Sequence, residues 1–494
     1  MNYLSTRDTS VSVSASQAIT KGISSDGGLF VPESLPAVTL SEIEELSKAG
    51  YKERAKSILG RFLTDFTPEE LAACVDGAYG DNFSDERIAP VVSLYDNVSI
   101  LELFKGPTCA FKDMALQILP RFLTVASGKV AKGIETVILV ATSGDTGKAA
   151  LEGFKDVENT RILVFYPSDG VSPMQKLQMC TQEGKNVGVC AIKGNFDDAQ
   201  NGVKKIFTDK DIAAKLRDKS MAFSSANSIN WGRLAPQIVY YFSAYCDLLA
   251  GGKIKAGDKI NIVVPTGNFG NILAAYYAGE MGLPVNKFIC ASNSNSVLTE
   301  FITTGTYDRN RRFYTTISPS MDILISSNLE RLLYDLAGSE STKEWMKQLS
   351  ETGKYTVDGA TFSRIQSLFA AGCCDDDATK ATIAECFRNY GYLCDTHTAV
   401  AVTVYNEYRR STGDETPAVI ASTASPFKFS AAVLEAVEGK KSDLDEFDMV
   451  SELAKVTGKQ CPAPLANLRD KQIRFTGCCE KADMEKAVFD LLGI

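Results

Sequence analysis

Val137-Ile138-Leu139-Val140-Ala141 is an apolar run of strand length that passes directly into Thr142-Ser143-Gly144-Asp145-Thr146-Gly147, and a helical pattern starts near 146. Strand, polar loop and helix in that order make half of a βαβ unit. The pattern repeats further along the chain. Residues 162–166 precede a helix near 172–182, and residues 187–192 precede one near 197–208. A second series begins at 260–264 with a helix from about 270, continues at 287–291, and ends with 418–421 before a helix near 427–437. Short strands separated by helices of about 10–15 residues predict parallel sheets. The reading is therefore α/β, in two lobes with a cleft between them.

Upstream, residues 91–95 and 98–104 predict two strands around an Asp96-Asn97 turn, and these lead into Gly106-Pro107-Thr108-Cys109-Ala110-Phe111-Lys112-Asp113. Residues 1–90 read differently. A Ser24-Ser25-Asp26-Gly27-Gly28 turn precedes Leu29-Phe30-Val31-Pro32, and amphipathic helical stretches follow near 40–60 and 67–79. We divide the chain into an N-terminal domain (1–90), a smaller lobe (91–230) with Lys112 and the 143–147 loop, and a larger lobe (231–494). The larger lobe carries the 267–271 loop and Thr423, with a helical insertion near 310–390. No fixed short repeat period runs through it.

Composition narrows the function classes. With 494 residues, 45% hydrophobic and 23% charged, the chain is an ordinary soluble globular protein by composition, large enough to need no disulfide or structural metal. Its 52 Lys+Arg against 61 Asp+Glu give a formal charge of -9, which disfavours nucleic acid as a partner. No segment approaches the ~18 apolar residues of a membrane helix and the first residues lack the apolar core of a signal peptide, so a cytoplasmic location is expected. The 13 cysteines match no zinc framework and read as reduced thiols. No metal site is expected. The single histidine, His397, leaves proton transfer to lysine, carboxylates, hydroxyls or a cofactor.

Three strand-to-helix junctions carry polar loops: 142–147, Thr266-Gly267-Asn268-Phe269-Gly270-Asn271, and Ser422-Thr423-Ala424-Ser425. In open α/β sheets, ligands bind beyond the carboxyl ends of the strands. In the 267–271 loop, glycines allow close backbone approach to an anion and the following helix offers free N–H groups. A phosphate cradle and a turn that merely caps a helix both fit this pattern. The nucleotide motifs fail on spacing, since a Walker loop needs glycine at Thr142 and Ser or Thr at Ala149, and no Gly-x-Gly-x-x-Gly follows a predicted strand. Lys112 follows a Gly-Pro-Thr turn and has aromatic and apolar neighbours. Desolvation there would lower its pKa, as a Schiff-base lysine requires. An activatable lysine and a phosphate cradle in one cleft point to pyridoxal phosphate.

The 106–113 segment resembles the lysine motif of threonine synthases. Five further segments are similar to that family in order and context: 26–32, Ser143-Gly144-Asp145-Thr146-Gly147, Asn227-Ser228-Ile229-Asn230-Trp231-Gly232-Arg233, Gly267-Asn268-Phe269-Gly270-Asn271 and Thr423-Ala424-Ser425-Pro426-Phe427-Lys428-Phe429. The resemblance covers nearly the whole chain and is to the long, N-terminally extended class. It implies two open twisted α/β lobes of the tryptophan synthase β-like (fold type II) pyridoxal-phosphate enzymes, with 1–90 as the extension domain.

The resemblance also implies site roles. Lys112 matches the lysine that holds the cofactor as a Schiff base and serves as catalyst, 267–271 (Gly267, Asn268, Phe269, Gly270, Asn271) the loop on its phosphate, and Thr423 the hydroxyl facing its pyridine nitrogen. Ser143, Asp145 and Thr146 match the region that receives the substrate carboxylate. Asn227, Ser228, Asn230 and Arg233 are candidate substrate contacts, with Arg233 either an anion clamp or half of a surface ion pair. An ionised Asp145 beside the cofactor's phenolate oxygen would repel it, so helix capping is the alternative for this side chain. The family commonly has His where Ser425 stands and Pro where Thr396 stands. His397 is expected to start a helix or support the site from behind. The implied reaction turns O-phospho-L-homoserine and water into L-threonine and phosphate, by a monomer or homodimer. A phospho-lyase releasing 2-oxobutyrate and a catalytically inactive pyridoxal-phosphate-binding relative are the alternatives.

Overall fold

The computed structural model describes residues 1–142, 144–169 and 171–494, with Asp197 by its backbone alone. Two largely parallel sheets dominate it. The smaller has five strands in the order Cys478–Glu480, Val187–Lys193, Thr160–Pro167, Glu135–Ala141, Met221–Ser224, all parallel. The larger has six, in the order Phe369–Cys373, Val285–Ser292, Ile260–Pro265, Ala418–Ser422, Val98–Glu102, Val91–Tyr95, and only the last pair is antiparallel. Ile260–Pro265 and Ala418–Ser422 are buried along their whole length. Such strands read as continuous apolar runs because helices cover both faces of the sheet. Val263 registers with Ile289 on one side and Ile420 on the other.

The N-terminal region adds a three-stranded antiparallel sheet, Asn2–Ser5, Ser12–Ser14 and Phe30–Pro32. The amphipathic stretch near 40–60 is two helices, Leu40–Ser47 and Tyr51–Phe62, because the chain breaks at Lys48 and Gly50. Reciprocal capping boxes start Leu40–Ser47, by Thr39 with Glu42, and the following helix Pro68–Ala78, by Thr67 with Glu70. This region packs on the buried 20-residue helix Trp231–Ala250, where Tyr3 and Phe62 lie against Trp231. Buried Arg331 ties it to the cleft, donating to the carbonyls of Phe30 and Ile229 and to Asn328 Oδ1.

Sheet membership departs from a division into consecutive lobes at 230. The 91–102 hairpin belongs to the larger sheet, since Val98–Glu102 pairs with Ala418–Ser422. Cys478–Glu480 returns to the edge of the smaller sheet, and the helix Met484–Leu492 packs beneath it. The stretch read as a helical insertion near 310–390 does hold helices, Leu329–Thr352, broken by a kink at Gly338, and Asp376–Tyr390, but also the edge strand Phe369–Cys373. That strand, Phe-Ala-Ala-Gly-Cys, has no β-branched residue to mark it. Among the described residues no helix is long and apolar enough to cross a membrane.

Candidate functional site

The loops at the carboxyl ends of the two sheets meet, and Lys112 lies where they do. From the larger sheet, Val98–Glu102 leads into 103–113, and this segment is laced to the segment after Ala418–Ser422. Phe111 N donates to Thr423 O at 2.8 Å, Ser425 N to Cys109 O at 3.0 Å, and Ala110 bridges Ala424. Thr108 donates its N–H and its hydroxyl to the two oxygens of Asp113, at 2.9 and 2.7 Å. Gly106 is needed at this turn, because a Cβ there would fall 2.5 Å from that of Asp113. Burial raises the Asp113 carboxyl to about 6 against the Thr108 bonds. Lys112 is 9% exposed. Its Nζ lies 3.2 Å from Ser320 Oγ and 3.7 Å from Asp145 Oδ2. Burial pushes its ammonium down, Asp145 opposes this, and Lys428 and Arg233 add to the lowering. The structure thus has the desolvated lysine that the sequence predicts.

Asp145 opens the helix Asp145–Phe154 after Gly144, whose φ of 152° suits glycine. Its carboxylate does not do the capping. Thr142 Oγ1 accepts from the N–H groups of Gly144 and Gly147, at 3.0 Å each. Asp145 accepts instead from Lys428 Nζ at 2.7 Å and Gln175 Nε2 at 3.1 Å. Burial alone would raise this carboxyl, but Lys428 and Lys112 overcome it and hold the group well below the usual carboxylate range. Thr146 is half-buried beside it, and Ser143 lies outside the described residues.

On the 267–271 loop, Phe269 is buried at φ 63° and precedes the helix Gly270–Glu280, which has no side-chain cap. Asn271 Oδ1 accepts from the hydroxyls of both Tyr240 and Tyr241. Its Nδ2 is therefore aimed away from them, and it is buried without a partner among the described residues. An orphaned amide donor at an uncapped helix start is what a phosphate would satisfy. These residues fit the phosphate of pyridoxal phosphate. Gly267 has a second duty, because a Cβ there would fall 2.6 Å from the carbonyl oxygen of Ser320. Its substitution would disturb the chain as well as any ligand, whereas at Gly270 the nearest atom, Asn328 Nδ2, is 3.3 Å away. The side chain of Asn268 is exposed, and its carbonyl accepts from Asn328 N.

Asn271→Asp separates the two meanings of this loop. It keeps an acceptor for Tyr240 and Tyr241 but replaces the free donor with anionic oxygen. Cofactor affinity is expected to fall by about 100-fold, while the dipole of the helix favours the carboxylate and preserves the thermal midpoint of the cofactor-free chain. Absorbance titration with pyridoxal phosphate beside thermal melts measures both. Unchanged affinity in a folded variant would remove Asn271 from the phosphate site.

Thr423 is buried just past Ala418–Ser422, in the loop that faces Lys112. Arg233 is 6% exposed, which rules out the surface ion pair. It donates to Ala226 O at 2.9 Å and has no carboxylate partner among the described residues, and burial pushes it down to about 10. Asn230 does not belong with the substrate contacts. It donates to Ile19 O and Ser225 O and accepts from Gly232 N, so its amide is fully engaged in starting the helix Trp231–Ala250. Asn227 is exposed and Ser228 half-buried. His397 supports the site from behind, with Nδ1 2.9 Å from Asp395 Oδ1 and Nε2 accepting from Ser320 N at 3.1 Å. Ser425 caps the 3-10 turn Pro426–Phe429.

Two residues next to Lys112 and Asp145 had no assigned role in the sequence. Ser320 sits inside the stretch read as an insertion. Lys428 carried a signal, a lysine flanked by Phe427 and Phe429, of the same kind that singled out Lys112.

Comparisons with known proteins bear on this geometry. Three family models match: Threonine synthase N terminus over 2–79, Pyridoxal-phosphate dependent enzyme over 97–373, and Threonine synthase, C-terminal over 398–488. Human threonine synthase-like 1 is 42% identical over 438 residues, which is 86% of this chain, and the chain spans 58% of the human protein's length. Threonine synthase of Pseudomonas aeruginosa is 39% identical, over 96% of this chain and 95% of the relative. The crystal structure of pyridoxal-phosphate-bound threonine synthase from Brucella melitensis superposes with a TM-score of 0.88 at 36% identity, covering 99% of both chains.

Proposed function

The chain belongs to the pyridoxal-phosphate-dependent threonine synthase family, and on that premise we propose that it converts O-phospho-L-homoserine and water to L-threonine and phosphate. The observation that carries this reading is that the cleft offers two separate anion sites. One is the unpartnered Asn271 amide at the start of Gly270–Glu280, suited to the cofactor phosphate. The other is Arg233, buried without a carboxylate partner and close enough to Lys112 to lower its proton affinity. With the substrate carboxylate assigned to the start of Asp145–Phe154, Arg233 suits a substrate that also carries its own phosphate.

Pyridoxal phosphate, when bound, supplies the electron sink that makes protons near the substrate's amine-bearing carbon removable. The remaining work falls to the chain. Lys112 holds the cofactor at rest and, released by the substrate, moves protons at Cα and Cβ through Nζ. Burial lowers its proton affinity, which favours the free amine as a base. Arg233 holds the substrate phosphate until it leaves Cγ. The start of Asp145–Phe154 receives the substrate carboxylate by backbone N–H groups and Thr146, since the Asp145 carboxylate is engaged by Lys428. Thr423 contributes a neutral hydroxyl toward the pyridine nitrogen, which leaves most of the proton handling to Lys112. A proton delivered to Cγ in place of the departed phosphate, addition of water at Cβ and return of a proton to Cα complete the exchange.

The phospho-lyase reading retains support from Ser425, which stands where the resembled family commonly has His. Product analysis with O-phosphohomoserine decides between them. We expect L-threonine and phosphate in equal amounts, and 2-oxobutyrate with ammonia in place of threonine would overturn the proposal.

A further inference from the structure

We propose that Lys428 is a positioning residue whose buried ion pair fixes the Asp145 carboxylate beside Lys112 and so sets how readily the Lys112 amine gives up its proton. Lys428 arises from the turn Pro426–Phe429, and its side chain is wholly buried. Nζ reaches Asp145 Oδ1 at 2.7 Å and Thr108 O at 3.0 Å. One ammonium therefore joins all three segments that shape the cleft around Lys112: 106–113, 142–147 and 423–429. Asp145 in turn stands between two lysines, 2.7 Å from Lys428 and 3.7 Å from Lys112.

Stability alone does not account for this arrangement. A buried ion pair gains little over apolar residues of the same volume, because both charges lose their water. Its effect on Lys112 is specific. The groups that face Lys112 are the Asp145 carboxylate, the Ser320 hydroxyl, the Phe111 ring 5.1 Å from Nζ, and the cations of Lys428 and Arg233. Asp113 on the same loop is bonded to Thr108, and His397 is held between Asp395 and the backbone N–H of Ser320. Asp145 is thus the one carboxylate within ion-pair distance of Lys112 among the described residues. Lys428 neutralises it, so the Asp145 side chain presents little net charge toward the cleft. This also answers the objection that a bare carboxylate would repel the cofactor's phenolate oxygen.

The inference rests on Lys112 being the cofactor lysine, and one experiment tests the two separately. The full-length chain, freed of cofactor, is offered pyridoxal phosphate across the neutral-to-alkaline range. Borohydride reduction then traps the adduct, and peptide mass spectrometry identifies the modified lysine and gives the capture rate. Lys428→Met leaves Asp145 to Lys112 alone, so the capture profile is expected to move to higher pH, with capture at neutral pH slowed about tenfold. Asp145→Asn removes the attraction and leaves the two lysines facing each other, so the profile is expected to move the opposite way. Folding is checked by thermal melts, and if Lys428→Met fails to fold, the direction of the Asp145→Asn shift decides. Unmoved profiles, or shifts in the same direction, with Lys112 still the modified residue overturn this inference and leave the functional reading intact. Cofactor trapped on another lysine overturns both.

Discussion

Lys112→Ala is expected to abolish conversion of O-phosphohomoserine, by at least about 1,000-fold, and to remove the visible absorbance of lysine-bound cofactor, while the chain stays folded. The size follows from the two tasks one amine performs. It holds the cofactor in place, and it shuttles protons, a role that by itself contributes about 10²–10⁴-fold. Folding survives because of the lysine's surroundings. Removing one member of a buried ion pair is normally severe, since it strands the other charge. Here Asp145 keeps Lys428 at 2.7 Å and Gln175 at 3.1 Å, so no carboxylate is stranded. The remaining cost is a small cavity and the Ser320 contact, roughly 1–2 kcal/mol. Turnover with product analysis, the absorbance spectrum and a thermal melt check the three parts. Retained turnover and absorbance would remove Lys112 from its role. An unfolded variant would mean that Lys428 does not satisfy Asp145 alone.

Much of this site was legible because its signals are local. The strands at 137–141 and 418–421 are continuous apolar runs, 260–264 is one broken only by Asn261, and parallel topology places the loops after them on one side of each sheet. Lys112 and the 267–271 loop stood out for their chemistry within a few residues. What escaped depends on contacts distant in sequence. Ser320 reaches Lys112 across 208 residues, and Lys428 reaches Thr108 across 320. No periodicity reports such a meeting. Asn230 failed for the converse reason. Its polar side chain in a polar loop looks the same whether it faces a ligand or, as here, bonds Ile19 O across 211 residues. The short edge strands Phe369–Cys373 and Cys478–Glu480 escaped because an edge strand pairs on one side and needs fewer apolar residues to hold it.

Arg233→Met is expected to separate binding from stability more sharply than any other change in the cleft. A buried guanidinium that, among the described residues, has no carboxylate partner and bonds only Ala226 O loses its water for little return, so it is a burden on the chain without ligand. Methionine has a similar reach and leaves no charge behind, so the thermal midpoint of the cofactor-loaded enzyme should stay level or rise. Substrate binding should suffer. Loss of a charge-assisted contact to a phosphate costs about 1.5–3 kcal/mol, a rise in KM of roughly 10- to 100-fold. If Arg233 also held the phosphate more firmly as it left, kcat would fall as well, because only interactions stronger in the transition state accelerate the chemistry. Cofactor affinity should not move, since Asn271 and Gly270–Glu280 serve the other phosphate. Steady-state kinetics with O-phosphohomoserine, cofactor titration and melts on one preparation provide all the readings. A structural arginine would give the reverse pattern, with KM unchanged and stability lost, and that result would take the second anion site away from the proposed function.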